Sequence, residues 1–322
     1  DENMRLNWVA FCLAYVLYQF QYSKLAMLLA ALGFLLTAGS GLLGEPNREK
    51  DLVGEKKHGV PCAFSLTQGR RPYMEDVYLA QDFHSADPAY SLFGVFDGHS
   101  GKRAAEFARD NVPRNLAIQL NQRAPAEALV EAFLATDRDF CAKAERERMD
   151  DGSTGNVALL QDNELWVANA GDARAVLCHK DQAIAMSEDH KPNREDELRR
   201  IREAGGEVMF YGCWRVEGQL AVSRGFGDRN LKKFVTARPE VIRRRLEPND
   251  RFLIIATDGL WDVMSNEEAV MIALSRSHLG NAAMAQALTE QALQMGSMDN
   301  VTALIVDLCG DIPSSSAHRK EN

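Results

Sequence analysis

Phe252-Leu253-Ile254-Ile255-Ala256-Thr257-Asp258-Gly259 is the stretch on which the fold of this chain turns. An unbroken apolar run followed by Asp-Gly predicts a strand buried on both faces that ends in a turn carrying a carboxylate. The pattern recurs. Leu92-Phe93-Gly94-Val95-Phe96 leads to Asp97 and Leu165-Trp166-Val167-Ala168 leads to Asp172, while Glu75-Asp76 and Asp299 lie in turns beside predicted strands. Strands stacked in one sheet aim their terminal acids at a common point, where unpaired carboxylates repel unless a hard cation neutralises them. The residues therefore point to a Mg²⁺ or Mn²⁺ site.

Strands are predicted near 60–67, 76–83 and 91–97. Two helices follow, with Pro113 interrupting the first and Leu129, Val130, Phe133, Leu134 and Phe140 spaced along the core face of the second. Strands near 156–160, 164–170 and 173–178 precede a charged helix from about Asn193 to Ala204, stopped by Gly205-Gly206. Gly212, Gly218, Gly225 and Gly227 predict an irregular course from Glu207 to Asp228. After the strand at 251–257, Ser265 and Glu268 form a capping-box pattern that opens a helix. A further helix near 281–296 presents Met284, Leu288, Ala292 and Met295 to the core, and Val301 to Leu308 is the last strand. Blocks of strands interrupted by helix pairs indicate an α+β fold rather than alternating βαβ units.

The 322 residues are enough for one large domain plus an appendage, and the 46% hydrophobic content allows a sizeable core. A formal net charge of −9, with no basic stripe interleaved with aromatics, excludes nonspecific nucleic-acid binding. Arg243-Arg244-Arg245 reads as a solvated strand or sheet edge. The six cysteines lie far apart without zinc or redox spacing, which indicates reduced thiols in the cytosol.

The first residue is Asp1 rather than methionine, as in a fragment of a longer chain. Leu25 to Leu43 contains no charged residue, and these nineteen residues would span about 28 Å as a helix, close to the hydrocarbon thickness of a bilayer. Leu6 to Tyr18 is a shorter apolar segment with Trp8, Phe11, Tyr15 and Tyr18, read as a second span or an interfacial helix. The alternatives are a cleavable signal peptide ending near Thr37-Ala38-Gly39-Ser40 and a buried soluble helix. Arg48, Lys50, Lys56 and Lys57 follow the span, which puts the C-terminal part in the cytosol by the positive-inside rule. The span's modest length suits a thin membrane such as the endoplasmic reticulum. The expected organisation is thus a membrane anchor at 1–43, a juxtamembrane linker at 44–58, a catalytic domain at 59–311 and a disordered tail at 312–322.

Taken in order, Arg71-Pro72-Tyr73-Met74-Glu75-Asp76, Phe96-Asp97-Gly98-His99, Gly171-Asp172-Ala173-Arg174, Asp258-Gly259-Leu260-Trp261-Asp262 and Asp299-Asn300-Val301-Thr302 resemble the metal-dependent type 2C Ser/Thr protein phosphatases. The resemblance runs from about Cys62 to Leu308, supported by Asp189-His190-Lys191-Pro192 and by Leu220 to Asp228. It implies two packed antiparallel β-sheets flanked by helix pairs, with two Mg²⁺ or Mn²⁺ ions in a cleft at one end. By motif, Asp97 would bridge the ions, with Asp258 and Asp299 on one side and Glu75 and the Gly98 carbonyl on the other. Asp172 and Asp262 would hold a weaker third ion with Asp258, Asp76 would bond to the water on the metals, and Arg71 would take the phosphate. Water bridging the ions would attack phosphorus while His99 protonates the leaving oxygen. The implied partners are phosphoprotein substrates, met by a monomeric catalytic domain.

Three residues depart from the family pattern: Ser100 and Gly155 beside the motifs, and Ala173 within one. The competing reading is a catalytically weak or silent, membrane-tethered protein that binds phosphoproteins with the same fold. A hydrolase of small phosphoesters is a third.

Overall fold

The computed structural model describes residues 51–56, 59–83 and 89–309. The apolar segments at 6–18 and 25–43 and the tail at 312–322 lie outside the described residues.

The strands are β1 (Leu52–Lys56), β2 (Cys62–Thr67), β3 (Val77–Phe83), β4 (Tyr90–Phe96), β5 (Gly98–His99), β6 (Gly152–Ser153), β7 (Gly155–Gln161) and β8 (Glu164–Ala170). They continue with β9 (Arg174–His179), β10 (Gln182–Ala185), β11 (Val208–Tyr211), β12 (Cys213–Val216), β13 (Phe226–Gly227), β14 (Glu240–Arg245), β15 (Asp250–Ala256) and β16 (Val301–Asp307). The helices are α1 (Arg103–Leu120), α2 (Pro125–Glu147), α3 (Glu195–Glu203), the single turn α4 (Asp258–Trp261), α5 (Asn266–Arg276) and α6 (Asn281–Gln294).

Two antiparallel sheets carry the domain, one in the order β1-β2-β16-β15-β9-β10 and the other β14-β8-β7-β4-β3. Successive side chains on a strand point to opposite faces, so the continuous apolar runs are buried twice over. Phe93, Val95, Leu253, Ile255, Leu304 and Val306 meet between the sheets. Their neighbours Ile254 and Ile305 face outward onto Val270 and Leu288 of the α5–α6 pair. Leu92 and Phe96 face the other way, onto Leu116, Leu129 and Phe133 of the α1–α2 pair. The expected α+β sandwich with flanking helix pairs is therefore observed.

α5 opens on the expected capping box: the Glu268 amide donates to Ser265 Oγ at 3.2 Å and the Ser265 amide donates to Glu268 Oε2 at 2.9 Å. Arg243-Arg244-Arg245 ends β14, an edge strand, as predicted. Several expectations need correction. The predicted linker at 44–58 contains β1, which pairs with β2 from Leu52↔Leu66 to Lys56↔Cys62; its side chains are largely exposed, so it carries no apolar signal. Pro113 does not interrupt α1, which continues to Leu120 with Pro113 on its buried face. Glu207 to Asp228 includes the hairpin β11–β12, turned at Gly212, rather than an irregular course throughout. Met295 lies just past α6 and is 40% exposed instead of in the core.

Candidate active site

The acids anticipated from the sequence arrive at one end of the sandwich from both sheets. Asp97 follows β4, Asp258 opens α4 two residues after the end of β15, and Asp299 lies two residues before the start of β16. Asp172 sits in the turn between β8 and β9, and Glu75-Asp76 in the approach to β3. Gly259 lets two of these segments meet, because a Cβ there would overlap the Asn300 carbonyl.

Their mutual electrostatics connect the group. Burial first, and then the charges of Asp258, Asp76, Asp172 and Asp299, push the Asp97 carboxyl well above the usual carboxylate range. Asp258 is raised in the same way by burial and by Asp172 and Asp262, with Lys191 opposing. Burial lifts Asp262 as well, again against Lys191. Asp76 is pushed up to about 7 by burial, although Thr302 and Thr257 hydroxyls both donate to its Oδ2, at 2.7 and 2.9 Å.

Two cations of the protein offset part of this charge. Arg71 is paired with Asp299, and Lys191 Nζ donates to Asp172 Oδ2 at 2.5 Å with Asp262 at 3.8 Å. Among the described residues no three His, Cys, Asp or Glu side chains are gathered into a closed metal-ligand set. The donor chemistry nevertheless fits Mg²⁺ or Mn²⁺. The candidate ligands are carboxylates and one backbone carbonyl, with no thiolate or imidazole, and hard oxygen donors select those cations. Burial already disfavours the charges on Asp97 and Asp258, the condition a divalent ion relieves.

The loops bearing these acids are tied to one another by bonds that the motifs alone do not reveal. Asn300, itself buried, accepts from the Glu75 amide at 2.9 Å and donates to the Gln68 and Tyr73 carbonyls at 2.9 and 3.0 Å. The Gly101 amide donates to Glu75 Oε1 at 2.6 Å. Gly98 pairs with Ser153 in the three-stranded sheet β13-β6-β5. On the same strand His99 Nε2 bonds to Asp228 Oδ1 at 2.7 Å. Burial works against protonation of His99, but that bond, with the charges of Asp228, Asp172 and Glu75, outweighs it and raises the pKa.

His190 and Arg224 lie behind the site. His190 Nδ1 is within 3.3 Å of Gly171, next to Asp172, and Arg224 binds the buried Glu197.

Residues 61–301 match the family model for protein phosphatase 2C. The chain belongs to the protein phosphatase 2C family. Probable protein phosphatase 2C 52 of Oryza sativa subsp. japonica is 46% identical over 248 residues, which are 77% of this chain and 50% of that protein. Probable protein phosphatase 2C 59 of Arabidopsis thaliana is 44% identical over 262 residues, 79% of this chain and 83% of that one. The chain thus spans half the length of the rice relative and most of the Arabidopsis one. Among solved structures, serine-threonine phosphatase 2C from Toxoplasma gondii superposes with a TM-score of 0.69 at 26% identity, covering 80% of this chain and 99% of that one. A C. elegans sex-determining protein shares the fold, with a TM-score of 0.74 at 23% identity over 79% of this chain and 66% of that one.

The protein phosphatase 2C match spans every acid of the cluster, from Glu75 to Asp299. Two departures from the family's motif pattern have local consequences. A Cβ on Gly155 would come within 2.7 Å of the Phe226 ring, so glycine suits the packing there. Ser100 adopts φ +58°, where glycine is the easier residue.

Proposed function

We propose that this chain is a Mg²⁺- or Mn²⁺-dependent protein serine/threonine phosphatase that hydrolyses phosphoserine and phosphothreonine in phosphoproteins. The observation carrying this reading is the family match over residues 61–301, which spans Asp76, Asp97, Asp172, Asp258 and Asp299, each at a strand end or in a turn beside one. Two ions would be held by Asp97, Asp258, Asp299, Glu75 and the Gly98 carbonyl, and a weaker third by Asp172, Asp262 and Asp258. When bound, divalent ions acidify water into a nucleophile and offset phosphate charge.

The chain's own residues do the rest. Arg71 presents a half-exposed guanidinium beside Asp299, and its planar fork suits two phosphate oxygens. Asp76, held by two threonine hydroxyls, would accept a hydrogen bond from water in the cleft. His99 carries the proton that the serine or threonine oxygen needs on departure; Nε2 is engaged by Asp228, which leaves Nδ1 to donate.

The anchor belongs to the same proposal: a span at 25–43, a second segment at 6–18, and a monomeric catalytic domain that begins with β1 at Leu52 and faces the cytosol, with the endoplasmic reticulum as a membrane of suitable thickness. Asn300 of the Asn300-Val301-Thr302 sequon supports the cytosolic side, since a glycan on its Nδ2 would break the bonds to Gln68 and Tyr73.

Turnover of a phosphothreonine peptide tests the function. Activity should vanish on chelation, return with Mn²⁺ or Mg²⁺, and fall by at least about 10²-fold in a folded Asp258→Asn variant, as for loss of a main electrostatic group. Metal-bound protein that retains phosphopeptide without turning it over would favour the silent binding protein. Preference for phosphorylated metabolites over phosphopeptides would favour the small-phosphoester hydrolase.

A further inference from the structure

Asp137 lies on the buried face of α2, between Phe133 and Phe140. A carboxylate among apolar side chains is costly unless it is well bonded, and its bonds converge on one turn. The Gly227 amide donates to Asp137 Oδ1 at 2.8 Å. Lys232 Nζ donates to both Asp137 oxygens, at 2.9 and 3.0 Å, and to the Gly225 carbonyl at 3.0 Å. Cys141 Sγ, one helical turn on, faces the same Asp137 oxygen at 3.6 Å and the Gly227 carbonyl at 3.8 Å. The backbone from Gly225 to Gly227 is thus gripped at both ends.

That turn is conformationally demanding. Gly227 has φ +75° and Asp228 φ +49°, and a non-glycine residue in the left-handed region persists where its surroundings fix it. The Asp228 amide donates to the Asp151 carbonyl at 3.1 Å, and its carboxylate holds His99 Nε2 at 2.7 Å. Space for the pair is tight, since a Cβ on Gly152 would overlap both His99 Nε2 and Asp228 Oδ2.

We infer that Asp137 and Lys232 are positioning residues: they fix the Gly225–Asp228 turn, and through Asp228 the orientation of the His99 imidazole. This rests on the phosphatase reading with His99 as the proton donor. A displacement of about 1 Å in a reacting group can cost about 10²-fold in rate, so the clamp's effect should appear wherever His99 matters and nowhere else.

The test measures kcat of the full chain with Mn²⁺ on a phosphothreonine peptide and on p-nitrophenyl phosphate, whose phenolate leaves without a proton. His99→Ala should slow the peptide by about 10²–10⁴-fold and the aryl ester far less. Asp137→Asn should slow the peptide by about tenfold or more while leaving the aryl ester near the wild-type rate. The double variant should be no slower than His99→Ala alone. Lys232→Gln, which keeps the buried carboxylate, should show the same substrate split and covers the case in which Asp137→Asn does not fold. Equal losses on both substrates, or a double variant slower by the full Asp137→Asn factor, would overturn the clamp. A wild type that turns over neither substrate would sink the phosphatase reading itself. A His99→Ala variant without leaving-group dependence would sink the proton-donor role and the clamp with it.

Discussion

At Gly155, where β7 begins, a methyl group would sit 2.7 Å from Phe226 and 3.3 Å from Phe96, two fully buried rings. Overpacking of this kind typically costs about 1–3 kcal/mol. Gly155→Ala should therefore lower the unfolding free energy by about 1–3 kcal/mol, read as a lower denaturant midpoint. Because Phe226 adjoins the turn bearing Asp228, phosphopeptide turnover should also fall; an unchanged midpoint would show that the rings yield freely. The acids themselves are legible in the sequence because each ends a strand or sits in a turn beside one. Their supports are not. Thr257 and Thr302 reach Asp76 across 181 and 226 positions, and Asp228 reaches His99 across 129. Nothing local marks a threonine or an aspartate as a partner of a residue so distant. Asp137 leaves one faint signal, a charge on the apolar face of a core helix.

At the level of elements, α3 owes its place to Glu197, which is 1% exposed. Its carboxylate accepts from Arg224, Arg200 and Ser223, and although burial opposes ionisation these bonds bring its pKa down to about 2. A carboxylate with a depressed native pKa stabilises the fold fully above its unfolded pKa and loses that contribution as pH falls through the native one. From the ordinary value of 4.5 down to about 2, Glu197 should therefore lose roughly 3 kcal/mol of stabilisation. Chemical unfolding of the wild type and Glu197→Gln between pH 3 and 7 checks this. The gap should be widest at pH 7 and close on acidification, and a gap independent of pH would mean that shape rather than charge holds α3. The network that Glu197 anchors is not readable from the sequence, whereas strands buried on both faces are. β1 escaped because its largely exposed side chains follow no apolar rhythm, and the β11–β12 hairpin because its packing, Val216 against Val208 and Phe210 against Trp214, is made across strands rather than along one. Tertiary context decides such edge segments.

For the molecule as a whole, the site exists only where the ends of both sheets meet. β4 brings Asp97 from one sheet, and β15 and β16 bring Asp258 and Asp299 from the other. Among the described residues no helix is long and apolar enough to cross a membrane. The proposed anchorage rests instead on the uncharged run from Leu25 to Leu43, whose transfer into hydrocarbon is favourable while its exposure to water is not. Its expected consequence is that the full chain resists extraction by alkaline carbonate, whereas a variant lacking residues 1–44 partitions into the aqueous phase with undiminished turnover of a phosphopeptide. Orientation separates the remaining possibilities. Protease added outside sealed microsomes should digest the catalytic domain if it faces the cytosol, because the positive charges after the span hold that side. Full protection of the domain would restore the secretory reading, and complete carbonate extraction of the full chain would turn Leu25 to Leu43 into a buried helix of a soluble protein.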